Sequence, residues 1–169
     1  MTSETQLPRG LRNNNPGNMR PRPEDVSAFD VEGKLIDTLP DTVWQGVVAL
    51  DVGPNGPYLI FNSMLYGLRA IGKQLEAYQL RYGLNTCRQI FTRWAPPSDN
   101  NPTPAYISAV AQRMGKQPDD VISTRNPDQL FELIQGVVQQ EDGGIGLHYI
   151  TSDEIRAAVN LVLNISQEA

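Results

Sequence analysis

Ile134, Val137 and Glu141 recur at spacings of three and four, so a helix through this stretch carries the Glu141 carboxylate on its apolar stripe. Glu141 also stands at the end of that helix, just before Gly143-Gly144 in "QQEDGGIG". There the negative end of the helix dipole and partial burial both disfavour the charged carboxylate. A general acid working near neutral pH requires that condition. The plainer alternative is a helix that frays at Gln140 and turns Glu141 into water. Glu32, Glu76, Glu132 and Glu154 lack this combination: Glu76 and Glu132 fall on polar helix faces, and Glu154 serves as a cap.

Asn13, Asn14 and Asn15 stand together in "RGLRNNNPGNMR", Arg9 to Arg20. Asn, Pro and Gly are turn formers, so the run reads first as a bend. One turn needs only one or two such residues, and three consecutive amides offer the paired donors and acceptors that suit sugar hydroxyls and N-acetyl groups. Trp94, in "TRWAPPSDNNPTPAY", poses the same choice between a core residue and a flat surface for a sugar ring. His148 is the only histidine, has no evident nucleophilic partner and is not assigned a catalytic role.

The elements that must position these groups divide into two textures. Residues 1–63 are rich in Pro, Gly, Asn and Asp and hold no helical period. Two β-prone pieces, Val43 to Leu50 and Tyr58 to Asn62, flank the turn "DVGPNGP" and predict a small sheet or hairpin. Residues 64–169 read as helices. Leu68, Ile71, Leu75, Tyr78 and Tyr82 mark one face of the first, with Gly83 to end it. Thr86 caps a second carrying Ile90, Phe91 and Trp94, stopped by Pro96-Pro97. Thr103 and Pro104 open a third, with Tyr106, Ile107, Val110 and Met114 inward. Asn126 caps a fourth, with Pro127 in its first turn and Gln129 at N3. Thr151 and Glu154 form the capping box of a fifth, whose stripe is Ile155, Ala158, Val159, Val162 and Ile165. The expected architecture is one α+β, mostly helical domain over residues 1–169, with an irregular β lobe near the N-terminus.

Bulk properties narrow the function. The chain has 169 residues, enough for one domain with a real core, and its 40% hydrophobic content is that of a globular protein. A net charge of −5 argues against a broad nucleic-acid-binding face. Cys87, the single cysteine, excludes an internal disulfide and reads as a buried thiol; no metal site or organic cofactor is suggested. No run approaches the roughly 18 apolar residues of a membrane span, and "MTSETQLPRG" lacks the features of a secretion signal. The expectation is a protein made in a cytoplasm and carried outward by other means.

Several stretches, in this order, resemble a family of bacteriophage and prophage proteins with a lysozyme-like peptidoglycan-cleaving domain. They are "RGLRNNNPGNMR", "VWQG" (Val43 to Gly46), "IFNSMLYGLRA" (Ile60 to Ala70), "YGLNTCRQIFTRWAPPSDNNPTPAYISAV" (Tyr82 to Val110) and "VVQQEDGG" (Val137 to Gly144). The resemblance covers most of residues 9–149, and the Asn-Asn-Asn-Pro-Gly-Asn and Arg-Trp-Ala-Pro-Pro segments are its specific part. The family usually has His-Glu-Asn-Gly where this chain has Gln140-Glu141-Asp142-Gly143. It commonly carries an acidic residue where Leu65-Tyr66 stand, and lacks the longer stretch Pro21 to Thr42. Lysozyme-like glucosaminidases place a helix ending in the catalytic Glu before an Asn-rich segment. The reversed order here is what a circular permutation would produce, with Asn13 to Asn18 packed beside Glu141.

The resemblance implies a muramidase or lytic transglycosylase acting on peptidoglycan during lysis or wall penetration. Glu141 would protonate the glycosidic oxygen, and Asn13, Asn14, Asn15 and Trp94 would contact glycan. For the group that activates water or stabilises the cation, the candidates are Asp51, then Asp142, then Asp30. Without one, the sugar's own hydroxyl replaces water. The competing expectations are a catalytically inactive virion structural protein that binds tail or capsid partners, and a glycan-binding module that does not cleave.

Overall fold

The computed structural model describes residues 6–39 and 44–166. The chain is mostly helical with one two-stranded antiparallel sheet, an α+β arrangement. Its elements, in order, are α1 (Arg9–Arg12), β1 (Val47–Asp51), β2 (Tyr58–Phe61), α2 (Met64–Tyr82), α3 (Cys87–Trp94), α4 (Thr103–Arg113), α5 (Pro127–Tyr149) and α6 (Ser152–Leu163). Short 3₁₀ turns occupy Pro23–Ala28 and Pro97–Asp99. The expected first strand is shorter than its β-prone run: β1 begins at Val47, and Val43 lies outside the described residues.

The five helices expected from spacing and caps are present, and their caps show why they start where they do. Ser63 Oγ accepts from Tyr66 N to open α2, and Gly83, at φ 67°, closes it. Thr86 Oγ1 accepts from Gln89 N at the head of α3. Asn126 Oδ1 accepts from both Asp128 N and Gln129 N above α5. Thr151 and Glu154 satisfy each other's backbone N–H groups at α6. Two cap details differ from expectation. Thr103 Oγ1 donates back to the Ala95 carbonyl instead of capping α4, and Gln129 Oε1 accepts from Ser123 N rather than from its own helix cap.

The apolar stripes meet in a helical core of Leu68, Ile71, Leu75, Ile90, Phe91, Val110, Leu133, Ile134, Val137 and Val159, all fully buried. Stripe ends behave differently. Tyr82 and Ile165 are exposed, because α2 ends at Tyr82 and α6 ends before Ile165. Glu76, expected on a polar face, is buried between Lys73 and Arg125, which neutralise it. A second, smaller core holds Met19, Phe29, Trp44, Leu59 and Phe61 against Ala70 of α2. Trp94 packs against both cores.

The segment after α1 joins the two. Asn14 and Asn18 adopt positive φ, 51° and 48°, which Asn tolerates better than other side-chain-bearing residues. Phe61 N donates to Asn13 O, and Leu59 N donates to Met19 O, so the loop runs along β2. On its other side it lies against α2 at Gly67. A Cβ there would overlap the Asn14 carbonyl, so only glycine permits this approach.

Candidate active site

Helix α5 keeps regular geometry through Glu141 and Asp142 and breaks at Gly143, whose φ of 66° and ψ of −158° lie outside the helical region. The residue type explains the break, since that conformation is open to glycine alone. Glu141 is therefore held at the end of an intact, buried helix, and fraying at Gln140 does not occur. Its side chain is half-buried.

Both carboxylate oxygens of Glu141 accept hydrogen bonds from side chains. Asn18 Nδ2 donates to Oε2 at 3.0 Å, and Trp94 Nε1 donates to Oε1 at 3.1 Å. The Asn-rich segment and the Arg-Trp-Ala-Pro-Pro segment thus converge on this one carboxylate. An ionised carboxylate offers about four acceptor positions, so two remain for an incoming group. Trp94 is half-buried, and its ring sits edge-on to Tyr78 at 6.2 Å between centroids.

Each Asn of the triple makes a side-chain hydrogen bond within the chain. Asn15 is 1% exposed, donates from Nδ2 to the Met19 and Leu59 carbonyls, and accepts from Met19 N at Oδ1. With its amide filled and buried it is a strut between loop and hairpin, not a glycan contact. Asn14 Nδ2 donates to Phe61 O, and Asn13 Nδ2 donates to Asp51 Oδ2 at 3.0 Å. The residue of this segment that reaches Glu141 is Asn18, which was not among the site candidates. Its signal was present in the sequence as the last Asn of "NNNPGN", but local spacing cannot show a contact across 123 residues.

The three acidic candidates for a second group are distinguished by their surroundings. Asp51, at the end of β1, accepts from Asn13 Nδ2 and Gly53 N, and Arg9 Nε lies 3.5 Å away. Its carboxyl is held below the usual range, chiefly by the Asn13 and Gly53 hydrogen bonds and also by Arg9 and Arg12, so it stays ionised. Asp30 Oδ1 accepts from Glu32 N and Lys34 N, closing the turn between them.

Asp142 is 7% exposed, and neither oxygen has a hydrogen-bond partner among the described residues. It faces α1: a Cβ on Gly10 would lie 2.5 Å from Asp142 Oδ1 and 3.1 Å from Asn18 Oδ1. Burial first, and then the adjacent Glu141 charge, push its carboxyl up to about 7. The buried acid with the raised carboxyl at this helix end is thus Asp142, the residue after Glu141.

No group of His, Cys, Asp and Glu suited to a metal ion occurs among the described residues. Cys87 is buried and free, and burial pushes its thiol up to about 11, too high for a nucleophile at neutral pH. No described helix is long and apolar enough to cross a membrane.

Compared with known proteins, the chain is similar to Protein P5 of Pseudoalteromonas phage PM2, 28% identical over 155 residues that span 92% of this chain and 82% of that one. No family model matches the chain.

Proposed function

We propose that the chain cleaves the glycan strands of peptidoglycan as a phage protein of lysozyme-like type, with Glu141 as its acid. The observation that carries this reading is the double anchoring of the Glu141 carboxylate by Asn18 and Trp94. Two segments far apart in sequence orient one half-buried acid at a helix break, as a positioned proton donor requires. Similarity to a phage protein agrees with the proposed setting, a virion component or a protein delivered to the wall.

In this reading Glu141 protonates the glycosidic oxygen between N-acetylmuramic acid and N-acetylglucosamine, and positive charge develops on the sugar ring. Asn18 and Trp94 fix the carboxyl rotamer and exclude water from its inner side. The surroundings of the other acids favour completion without a second carboxylate. Asp51 is tied to Asn13 and Gly53, Asp30 closes its own turn, and Asp142 is buried. The muramic acid's own hydroxyl then attacks the anomeric carbon. Glu141, now ionised, takes that hydroxyl's proton, leaving an anhydro end and a restored acid. This is the lytic transglycosylase route.

A second reading, an inactive virion structural protein, is favoured by two observations. Both oxygens of Glu141 already accept hydrogen bonds within the chain, and Glu141, Asn18 and Trp94 line none of five surface grooves found elsewhere on it. Degradation of purified sacculi by wild type and by Glu141→Gln separates the two. Solubilisation that the substitution removes supports the enzyme; an inert wild type supports the structural protein.

A further inference from the structure

A groove bordered by α2 and by Arg93 of α3 has a charge opposite to that of the molecule. It has a volume of about 230 Å³ and is bordered by Arg22, Lys73, Arg81 and Arg93, with Glu76 the single acid. The whole chain carries −5. Two of these cations are already matched: Lys73 pairs with Glu76 at 2.8 Å, and Arg22 pairs with Asp25 at 2.9 Å. Arg81 and Arg93 are exposed and pair with no carboxylate among the described residues. Arg93 is nonetheless held in place, with its guanidinium 4.0 Å from the Tyr82 ring centroid and 5.2 Å from that of Tyr78. Stacking of this kind fixes the cation without neutralising it.

The groove is linked to the candidate site by two ring contacts. Trp94, which donates to Glu141, meets Tyr78 edge-on at 6.2 Å, and Tyr78 carries Arg93. Exposed Leu80 and Tyr82 lie beside the guanidinium groups, giving apolar surface between anion contacts. That mixture suits carboxylates separated by short alkyl side chains better than a compact phosphate.

We propose that this groove receives the acidic peptide stems of peptidoglycan, with their carboxylates on Arg81 and Arg93. The inference rests on the glycan-cleaving reading of Glu141. It assigns the substrate as strands that still bear their peptides, with the stem of the reacting muramic acid running past Trp94.

Titration calorimetry on the Glu141→Gln protein tests this, using a disaccharide-tetrapeptide and the same disaccharide without peptide, at low salt. The stem-bearing ligand is expected to bind about tenfold more tightly, since charge-assisted hydrogen bonds of this class supply such differences. Adding Arg81→Gln and Arg93→Gln removes that preference and leaves disaccharide binding unchanged, while Arg81→Lys with Arg93→Lys retains most of it. Replacing Arg93 removes its stacking on Tyr78 and Tyr82, so melting curves check that each variant stays folded at the temperature of the titration. Equal affinity for the two ligands overturns the stem assignment while the glycan reading stands, and binding of neither overturns both. Displacement of the stem-bearing ligand by inorganic phosphate at comparable concentration assigns the groove to phosphate and also overturns the proposal.

Discussion

Glu141 is held by two donors of different stiffness. The indole N–H of Trp94 belongs to a ring wedged between two cores, whereas the Asn18 amide belongs to a loop residue at positive φ. Trp94→Phe keeps most of the packing and removes only the donor. It should lower sacculus-degrading activity by roughly tenfold to a hundredfold, the range for losing a hydrogen bond to a charged group, with little change in melting temperature. Asp142 makes a prediction of opposite kind. Its folded carboxyl is raised from 3.8 to about 7, so the folded state holds a proton that the unfolded chain has released across that interval. Its contribution to stability is therefore greatest below the interval, declines as pH rises through it and levels off above it. Asp142→Asn removes the penalty. Urea denaturation should show the variant about 2 kcal/mol more stable than wild type at pH 8 and no more stable at pH 3. At this scale the sequence showed less than at any other. The position of Glu141 on an apolar stripe was readable because helical period is local. The expected packing of Asn13 to Asn18 beside Glu141 came from the resemblance; that Asn18 is the donor and Asn15 the strut was not readable, because both depend on partners brought together by the tertiary fold.

The helices were legible because each carries its own punctuation. Thr86, Asn126 and Thr151 all accept backbone N–H groups at the positions their spacing indicated, and Ser63 does the same for α2. Removing one such cap tests the energetics: Thr151→Ala should cost about 1 kcal/mol in chemical denaturation and leave the site untouched. The N-terminal lobe was less legible because its order comes from cross-chain contacts, such as the Asn15 amide on the Leu59 carbonyl and the Asn14 carbonyl against Gly67. The second contact has a sharp consequence. Gly67→Ala leaves α2 intact in propensity yet places a methyl into the Asn14 carbonyl, so the loop must move. A loss of about 3 kcal/mol is expected, the upper end for overpacking. Activity should fall further than stability explains, because Asn18 shifts with the loop.

For the whole molecule, acidity is the organising property. Burial works against the Asp25 carboxylate, but hydrogen bonds and charge from Arg22 outweigh it, and Asp51 is likewise held low by Asn13, Gly53 and Arg9. Both groups add stability that is present above the ordinary carboxylate range and lost as pH falls through their lowered values. Asp142 acts in the reverse sense toward neutrality. Melting temperature should therefore peak near about pH 4, decline as pH rises toward 7 and fall again in stronger acid. A profile rising steadily to pH 8 would show that Asp142 is not buried as described. Lysozyme-like cleavage itself is tested most directly by mass spectrometry of the fragments released from purified sacculi. Wild type should yield muropeptides ending in anhydromuramic acid, each lighter by one water than a hydrolysis product, and Glu141→Gln should yield none. Fragments released equally by the Glu141→Gln protein would contradict the assignment of Glu141 as the acid.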